Sequence, residues 1–300
     1  MDDSLQKLLD RRIYVGTSSW KYPGWSGIVY RKKYQNEKDF TENCLTEYAE
    51  HYGLVGIDHT YYDWPSNAVI RKYASQTPPS FRFGLKVTER ITVLKFPKHR
   101  RYGQLAGSQN PFFLDVGTFC ESFLAPIAEF KERVGVILFE FSQFFPGTLT
   151  SGREFVKRLD KFFSTLLKQA QYPFAVEIRN HNWLREEYFR VLFKHQLSHV
   201  FNSWTRMPSI GEQLDLSPDR PFPSYVARLL LRPGTKYEKA VEAFSPYDRV
   251  HDEQPGLRED AARLIRKATQ IGAPAYVFVN NRAEGCAPVT IQGILASLDT

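Results

Sequence analysis

"FAVEIRNHNWL", residues 174–184, begins as a strand and ends in ionisable groups. Phe174, Ala175, Val176 and Ile178 give the composition of a strand covered on both faces, yet Glu177 interrupts them and Arg179 follows. Side chains of an extended chain alternate, so Val176 and Ile178 share one face while Glu177 and Arg179 share the other, with His181 in the loop beyond. Charges on the inner side of a covered strand persist only if they are paired or used. The C-terminal end of a parallel barrel is a place where such groups are used.

Working outward, seven more segments have strand composition: "IYVGT" (13–17), "LVGIDHT" (54–60), "FRFGLKV" (81–87), "VGVILFE" (134–140), "SHVFNS" (198–203), "SYVARLL" (224–230) and "AYVFVN" (275–280). Between them, "DFTENCLTEYAEHY", "SNAVIRKYASQ", "SGREFVKRLDKFFSTLLKQA", "REEYFRVLFKHQ" and "LREDAARLIRKATQIG" carry apolar residues at the three- and four-residue spacing of helices. Ser66 and Ser151 are placed as N-caps, and Gly272 as a C-cap ahead of Pro274. Eight strands alternating with helices predict an α/β protein with one domain, a (β/α)8 TIM barrel over residues 13–300 behind an N-terminal extension, 1–12. Two connections, residues 88–116 after strand 3 and 231–256 after strand 7, are too long for plain helices and read as lid or pocket-wall loops.

Composition fits this picture. Three hundred residues, 42% of them hydrophobic, suffice for one large core. The start, "MDDSLQKLLDRR", is acidic where a secretory signal is basic, and no apolar run approaches the length of a bilayer span. Cys44, Cys120 and Cys286 lie far apart in no C-x-x-C pair, so the expectation is a protein of the reducing cytoplasm with no membrane partner. The net charge of +7 favours anionic partners. Lys95, Lys98, Arg100 and Arg101, beside His99 and Tyr102, form the one dense basic stretch: a nucleic-acid contact or a solvated loop.

The same alternation places further polar groups at strand ends: Asp58 and Thr60 on the second, Lys86 on the third, Glu140 on the fourth, Asn202 on the sixth, Arg228 within the seventh and Asn280 on the eighth. The loop "GTSSWKYPGWSG" (16–27) adds Thr17, Ser18 and Ser19 with the indoles of Trp20 and Trp25; "HTYYDWP" (59–65) adds Tyr61, Tyr62 and Trp64. Polar groups converging at one end of a barrel, with aromatic walls, predict a pocket for a small anionic or phosphorylated ligand.

"YVGTSSWKYPGWSGIVY", "HTYYDWPS", "FRFGLKVTERIT", "AVEIRNHNWL", "FNSWTRMP", "LLLRPGTKYEKAVEAFSPYDRV" and "AYVFVNNRAEGCAPVTIQGI" resemble, in this order, the YecE-like family, domain of unknown function family 72. The resemblance covers roughly residues 13–298 and implies a TIM barrel without implying a reaction. Its motif residues fall on Gly16, Thr17, Ser18 and Trp20; on Thr60, Tyr62 and Pro65; on Lys86; on Glu177, Arg179, His181 and Trp183; and on Asn280, Asn281 and Ala287. The chain departs from that pattern at Gly56 and Asp58, where Glu and Asn are usual, at Glu140 in place of Gln, and at Cys286 in place of Asn.

Three chemistries fit these residues. In the first, Glu177 is a general acid or base tuned by Lys86 and Arg179, with His181 beside it, while Arg228, Asn280 and Asn281 hold an anionic substrate of a hydrolase, lyase or isomerase. In the second, Asp58, Glu140 and Glu177 with one or both of His59 and His181 bind a divalent metal, as in TIM-barrel phosphodiesterases and isomerases, although Lys86 and Arg179 would repel it. In the third, Lys86 forms a Schiff base, which the neighbouring carboxylates oppose. No residue requires a cofactor. A non-catalytic binding protein for nucleic acid or another ligand is the remaining alternative, since a barrel does not by itself establish catalysis.

Overall fold

The computed structural model describes residues 2–298 except 146, 147, 150, 233 and 236, so Pro233 and Lys236 of the second long loop lie outside the described residues. Eight parallel strands close in sequence order into one barrel: β1 Ile13–Thr17, β2 Leu54–Ile57, β3 Arg82–Lys86, β4 Val134–Phe141, β5 Phe174–Ile178, β6 Ser198–Asn202, β7 Tyr225–Leu229 and β8 Ala275–Val279. The TIM-barrel expectation therefore holds. β1 matches the reading above and the other strands differ from it by at most three residues at an end; β2 stops at Ile57, and Asp58–Tyr61 turn into a 3-10 helix.

Helices α1 Asp3–Asp10, α2 Glu37–His51, α3 Asn67–Ser75, α4 Glu89–Thr92, α5 Val116–Phe119, α6 Gly152–Leu166, α7 Glu186–Lys194, α8 Ile210–Leu216, α9 Tyr237–Phe244, α10 Pro255–Ile271 and α11 Ala287–Leu298 complete the chain. Ser151 caps α6 by accepting from the Glu154 amide, and Gly272 ends α10 at φ 68 in the left-handed region. Ser66 sits at the N-cap of α3 without a capping bond from its side chain. The N-terminal extension is ordered as α1, which buries Leu5. No helix among the described residues is long and apolar enough to cross a membrane.

Two apolar layers form. One lies between strands and helices, where Phe139 meets Phe162 and Phe163 of α6 and Phe174 meets Phe163 at ring separations of 5.2 to 5.9 Å. The other fills the barrel: Leu54, Val136, Leu138, Ala175, Val200, Val226, Tyr276 and Phe278 pack with Tyr14. Phe278 occupies the space opposite Gly84, whose added Cβ would lie 2.3 Å from the ring. The inward residues of β4 and β5 are thus Val136, Leu138 and Ala175, and two-residue alternation carries the inner face on to Glu140 and Glu177. The barrel is a packed interior capped at one end by charge.

The loop after β3 is a structured excursion. Lys95 pairs with Gln109 in an antiparallel bridge, and Asn110 donates from its amide to the carbonyls of Arg90 and Val93, both at 2.7 Å. Glu89, buried in α4, accepts from Arg101 Nη2 at 2.7 Å and from the Tyr102 hydroxyl at 2.6 Å, strapping the far arm of this loop to the barrel. After β7, α9 is followed by the long helix α10.

Candidate active site

Glu140 is the centre of the charged end. One of its oxygens accepts from Arg179 Nη2 at 2.7 Å; the other receives Arg228 Nη1 at 2.7 Å and Lys86 Nζ at 2.9 Å. Glu177, fully buried, is held by Arg179 Nε at 3.1 Å on one oxygen and by Arg228 Nη1 on the other. Lys86 also faces Asp58 at 3.5 Å and lies 4.5 Å from the centre of the Tyr61 ring. The Arg179 guanidinium stacks on Trp204 at 3.9 Å. Three cations thus share two buried carboxylates, and the third acid, Asp58, stands at the rim with its side chain 35% exposed.

Burial alone would raise the Glu140 pKa, but Arg179, Lys86 and Arg228 outweigh it and hold the carboxyl well below the usual range. Burial would likewise lower that of Arg228, yet Glu177, Glu140 and Asp58 keep it above its ordinary value. Glu140 and Arg228 are therefore held as an ion pair. Counting Asp58, the three cations of this ring are balanced by three carboxylates, and the side chains open toward the mouth because the apolar plug lies beneath.

Two other polar atoms share this end. Ser18 Oγ and Asn202 Oδ1 are buried with no hydrogen-bond partner among the described residues, although Asn202 Nδ2 donates to the Ile178 and Val200 carbonyls at 3.3 Å. Such atoms normally find a partner. Asn280, 3% exposed, caps the next turn by accepting from the Arg282 amide at 3.0 Å.

Other expected ligand-binding residues are placed elsewhere. Thr17 faces the helix layer, its hydroxyl 2.8 Å from the Tyr48 hydroxyl and donating to the Ser19 carbonyl at 2.7 Å. Thr60 donates to the carbonyls of Ile57 and Lys86, joining β2 to β3. Asn281 receives the Trp25 indole at 3.2 Å and the Ala287 amide at 2.8 Å, which makes it a tie between the first loop and α11. Trp20 is buried edge-on against Tyr73, with its indole nitrogen unpartnered among the described residues. Tyr62 is 56% exposed and lies under Arg101.

His181 does not join the ring. The chain leaves β5 in a 3-10 turn, His181–Trp183, and His181 is exposed on the wall of a cavity of about 640 Å³ between the starts of α6 and α7. The five-residue metal set dissolves for the same reason: His181 is outside, His59 packs near Tyr73, and the oxygens of Glu140 and Glu177 already carry Lys and Arg. Among the described residues no cluster of three or more His, Cys, Asp or Glu could hold a metal.

The departures from the family pattern also acquire positions. A Cβ on Gly56 would lie 2.8 Å from the Ser18 carbonyl oxygen, so a larger side chain needs the first loop to shift. Glu140 is the hub of the ring. Cys286 is buried and free.

Several buried acids escaped the sequence reading because their partners lie in other loops. Glu47 accepts the amides of Arg31 and Lys32 and the Tyr34 hydroxyl, fixing the loop after β1. Glu284 takes Arg258 of α10 at 3.0 Å and the Gln254 amide at 2.6 Å. Glu89 does the same for the loop after β3.

A family model described as "Protein of unknown function DUF72" matches residues 14–300. The chain belongs to the DUF72 family. It is similar to solved structures of two other DUF72 proteins. One, from Enterococcus faecalis V583, is 22% identical with a TM-score of 0.63, covering 96% of each chain. The other, from Thermotoga maritima MSB8, is 25% identical with a TM-score of 0.58, covering 96% of this chain and 99% of that one. No curated protein matches the chain. The DUF72 likeness carries the barrel; the chemistry rests on the residues of this chain.

Proposed function

We propose that the protein is an acid/base enzyme, a hydrolase, lyase or isomerase, acting on a small anionic or phosphorylated substrate at the C-terminal mouth of the barrel. The carrying observation is the set of three cations around two buried carboxylates, with Asp58 alone at the rim. Bracing a barrel needs no more than one pair, and each additional buried ion costs several kcal/mol of desolvation unless something recovers it. Over the two buried glutamates the three cations leave one positive charge, which Asp58 meets from the rim at 3.5 Å from Lys86 and which a bound anion would meet in its stead.

The geometry revises the roles expected from sequence. Glu177 has both oxygens engaged by arginines and is fully buried, so it positions Arg179 and Arg228 instead of moving a proton. Asp58 and Lys86, 3.5 Å apart at the mouth, are the pair able to exchange a proton with a bound substrate. Arg179 is the anion anchor, its plane fixed by Trp204 and its edge by the two glutamates. Lys86 Nζ lies 2.9 Å from Glu140 and 3.5 Å from Asp58, contacts that commit it to ion pairing and not to Schiff-base chemistry.

A thermal-shift screen against phosphorylated sugars, nucleotides, divalent metals and short oligonucleotides tests this reading in the wild type and in Asp58→Asn. A ligand at a hundred times its Kd adds about 2.7 kcal/mol of stability. A small phosphate ester that stabilises the wild type and is turned over only when Asp58 is present supports the proposal. Stabilisation by oligonucleotides alone, steeply salt-dependent and unchanged in the variant, would overturn it.

A further inference from the structure

A second cavity, of about 370 Å³, lies beside the ring between the loops that follow β3 and β4. Tyr61 is the partition: its ring covers Lys86 on one side, and its hydroxyl meets Ser142 Oγ at 3.3 Å on the other. The walls are apolar, supplied by Val93, Leu94, Phe96 and Phe144. Three features set this space apart from a packing defect.

The first is a buried hydroxyl. Thr92 lines the cavity, is 1% exposed, and its Oγ1 has no hydrogen-bond partner among the described residues. An unsatisfied buried hydroxyl is a cost to the fold, which an occupant with a polar atom would recover. The second is charge. Lys95, Lys98 and Arg101 line the cavity against one carboxylate, Glu89, leaving an excess of two positive charges. Arg101 is committed to Glu89, whereas Lys95 and Lys98 are exposed at the rim with no ion-pair partner among the described residues. The third is preorganisation. The Lys98 stem packs over Gly107, where a Cβ would come within 3.2 Å of it, and Asn110 and Glu89 fix both arms of the loop.

We propose that this cavity is a binding site for a phosphomonoester with a flat apolar body, the aromatic part lying among Phe96, Phe144 and Leu94, the ester oxygen accepting from Thr92 Oγ1 and the dianionic phosphate between Lys95 and Lys98. A planar body matches aromatic walls, and two ammonium groups match a dianion better than a single carboxylate. The site stands independently of the reaction assigned to the ring, from which Tyr61 separates it.

The test is calorimetric titration with phenyl phosphate, inorganic phosphate and phenol at fixed ionic strength. Phenyl phosphate is expected to bind at least tenfold more tightly than either fragment. Lys95→Gln combined with Lys98→Gln, both exposed positions, should weaken it tenfold or more, Thr92→Val several-fold, and Asp58→Asn not at all. Phenyl phosphate binding no tighter than inorganic phosphate overturns the proposal. So does an affinity that ignores the lysine pair; if it then responds to Asp58→Asn, the ligand sits in the ring, and the reading of that site survives while this one fails.

Discussion

Glu140 and Glu177 are register partners on adjacent strands, and a single nitrogen, Arg228 Nη1, bonds to both. Two carboxylates so placed would ordinarily share a proton. Here the arginine between them bonds to both, and with Lys86 and Arg179 outside it holds Glu140 well below the usual carboxylate range. Removing one member leaves the rest mismatched. Glu177→Gln should cost about 3 to 5 kcal/mol, as for a broken buried ion pair, seen as a lowered urea midpoint with an unchanged slope. Asp58→Asn, at the rim, should cost under about 1 kcal/mol yet remove turnover of any substrate found.

Acid should unfold the protein through Glu140. Its folded pKa is depressed, so the stability it provides is complete above the unfolded value of about 4.3 and is lost as pH falls through the lower folded value. Below pH about 4, wild-type stability followed by circular dichroism should therefore show a further decline that belongs to Glu140. Glu140→Gln should start less stable and show a shallower acid limb.

His199 predicts a second, higher window. Burial pushes its imidazole down to about 4, with Tyr188 at 3.0 Å and Gln213 at 3.3 Å as its neighbours. The unfolded chain takes up this proton first, near pH 6.5, so stability is intact above that point and erodes toward pH 4. The loss amounts to about 3 kcal/mol over the window. A two-dimensional NMR titration should show the His199 ring neutral down to pH 5; a midpoint near 6.5 would contradict the buried geometry.

Gly84→Ala places a methyl against the Phe278 ring. With a gap of 2.3 Å in a packed interior, the substitution should destabilise by about 1 to 3 kcal/mol. Adding Phe278→Leu should restore part of that loss in equilibrium unfolding, because the two positions compete for one space.

Trypsin should report on the strap over the mouth. Glu89→Ala releases Arg101 and Tyr102 together. Cleavage after Lys95, Lys98 or Arg100 is expected to accelerate well before global unfolding, while the wild type resists it.

Alternation alone made much of this visible. Once Val176 and Ile178 are assigned to the helix side, Glu177 must face inward, and the same two-residue count brings Lys86, Glu140 and Arg228 to meet it. The count fails where strands end. Thr17 is the last residue of β1 and faces Tyr48, so a hydroxyl that looks like loop chemistry is a strand-to-helix contact. His181 lies past β5, where a 3-10 turn, not strand parity, sets its direction. Glu89, Glu284 and the Thr92 cavity were illegible because each depends on a partner brought close only by loop folding. Glu284 and Arg258, for example, are 26 residues apart.

The aromatic plug formed by Tyr14, Tyr276 and Phe278 has an electrostatic consequence. It puts a low-dielectric floor under the charged ring, with solvent on the opposite side only. Field lines from the ring cannot spread downward and are focused through the mouth, as in a lens. The barrel core thereby sets how strongly the charges of the ring are felt at the mouth.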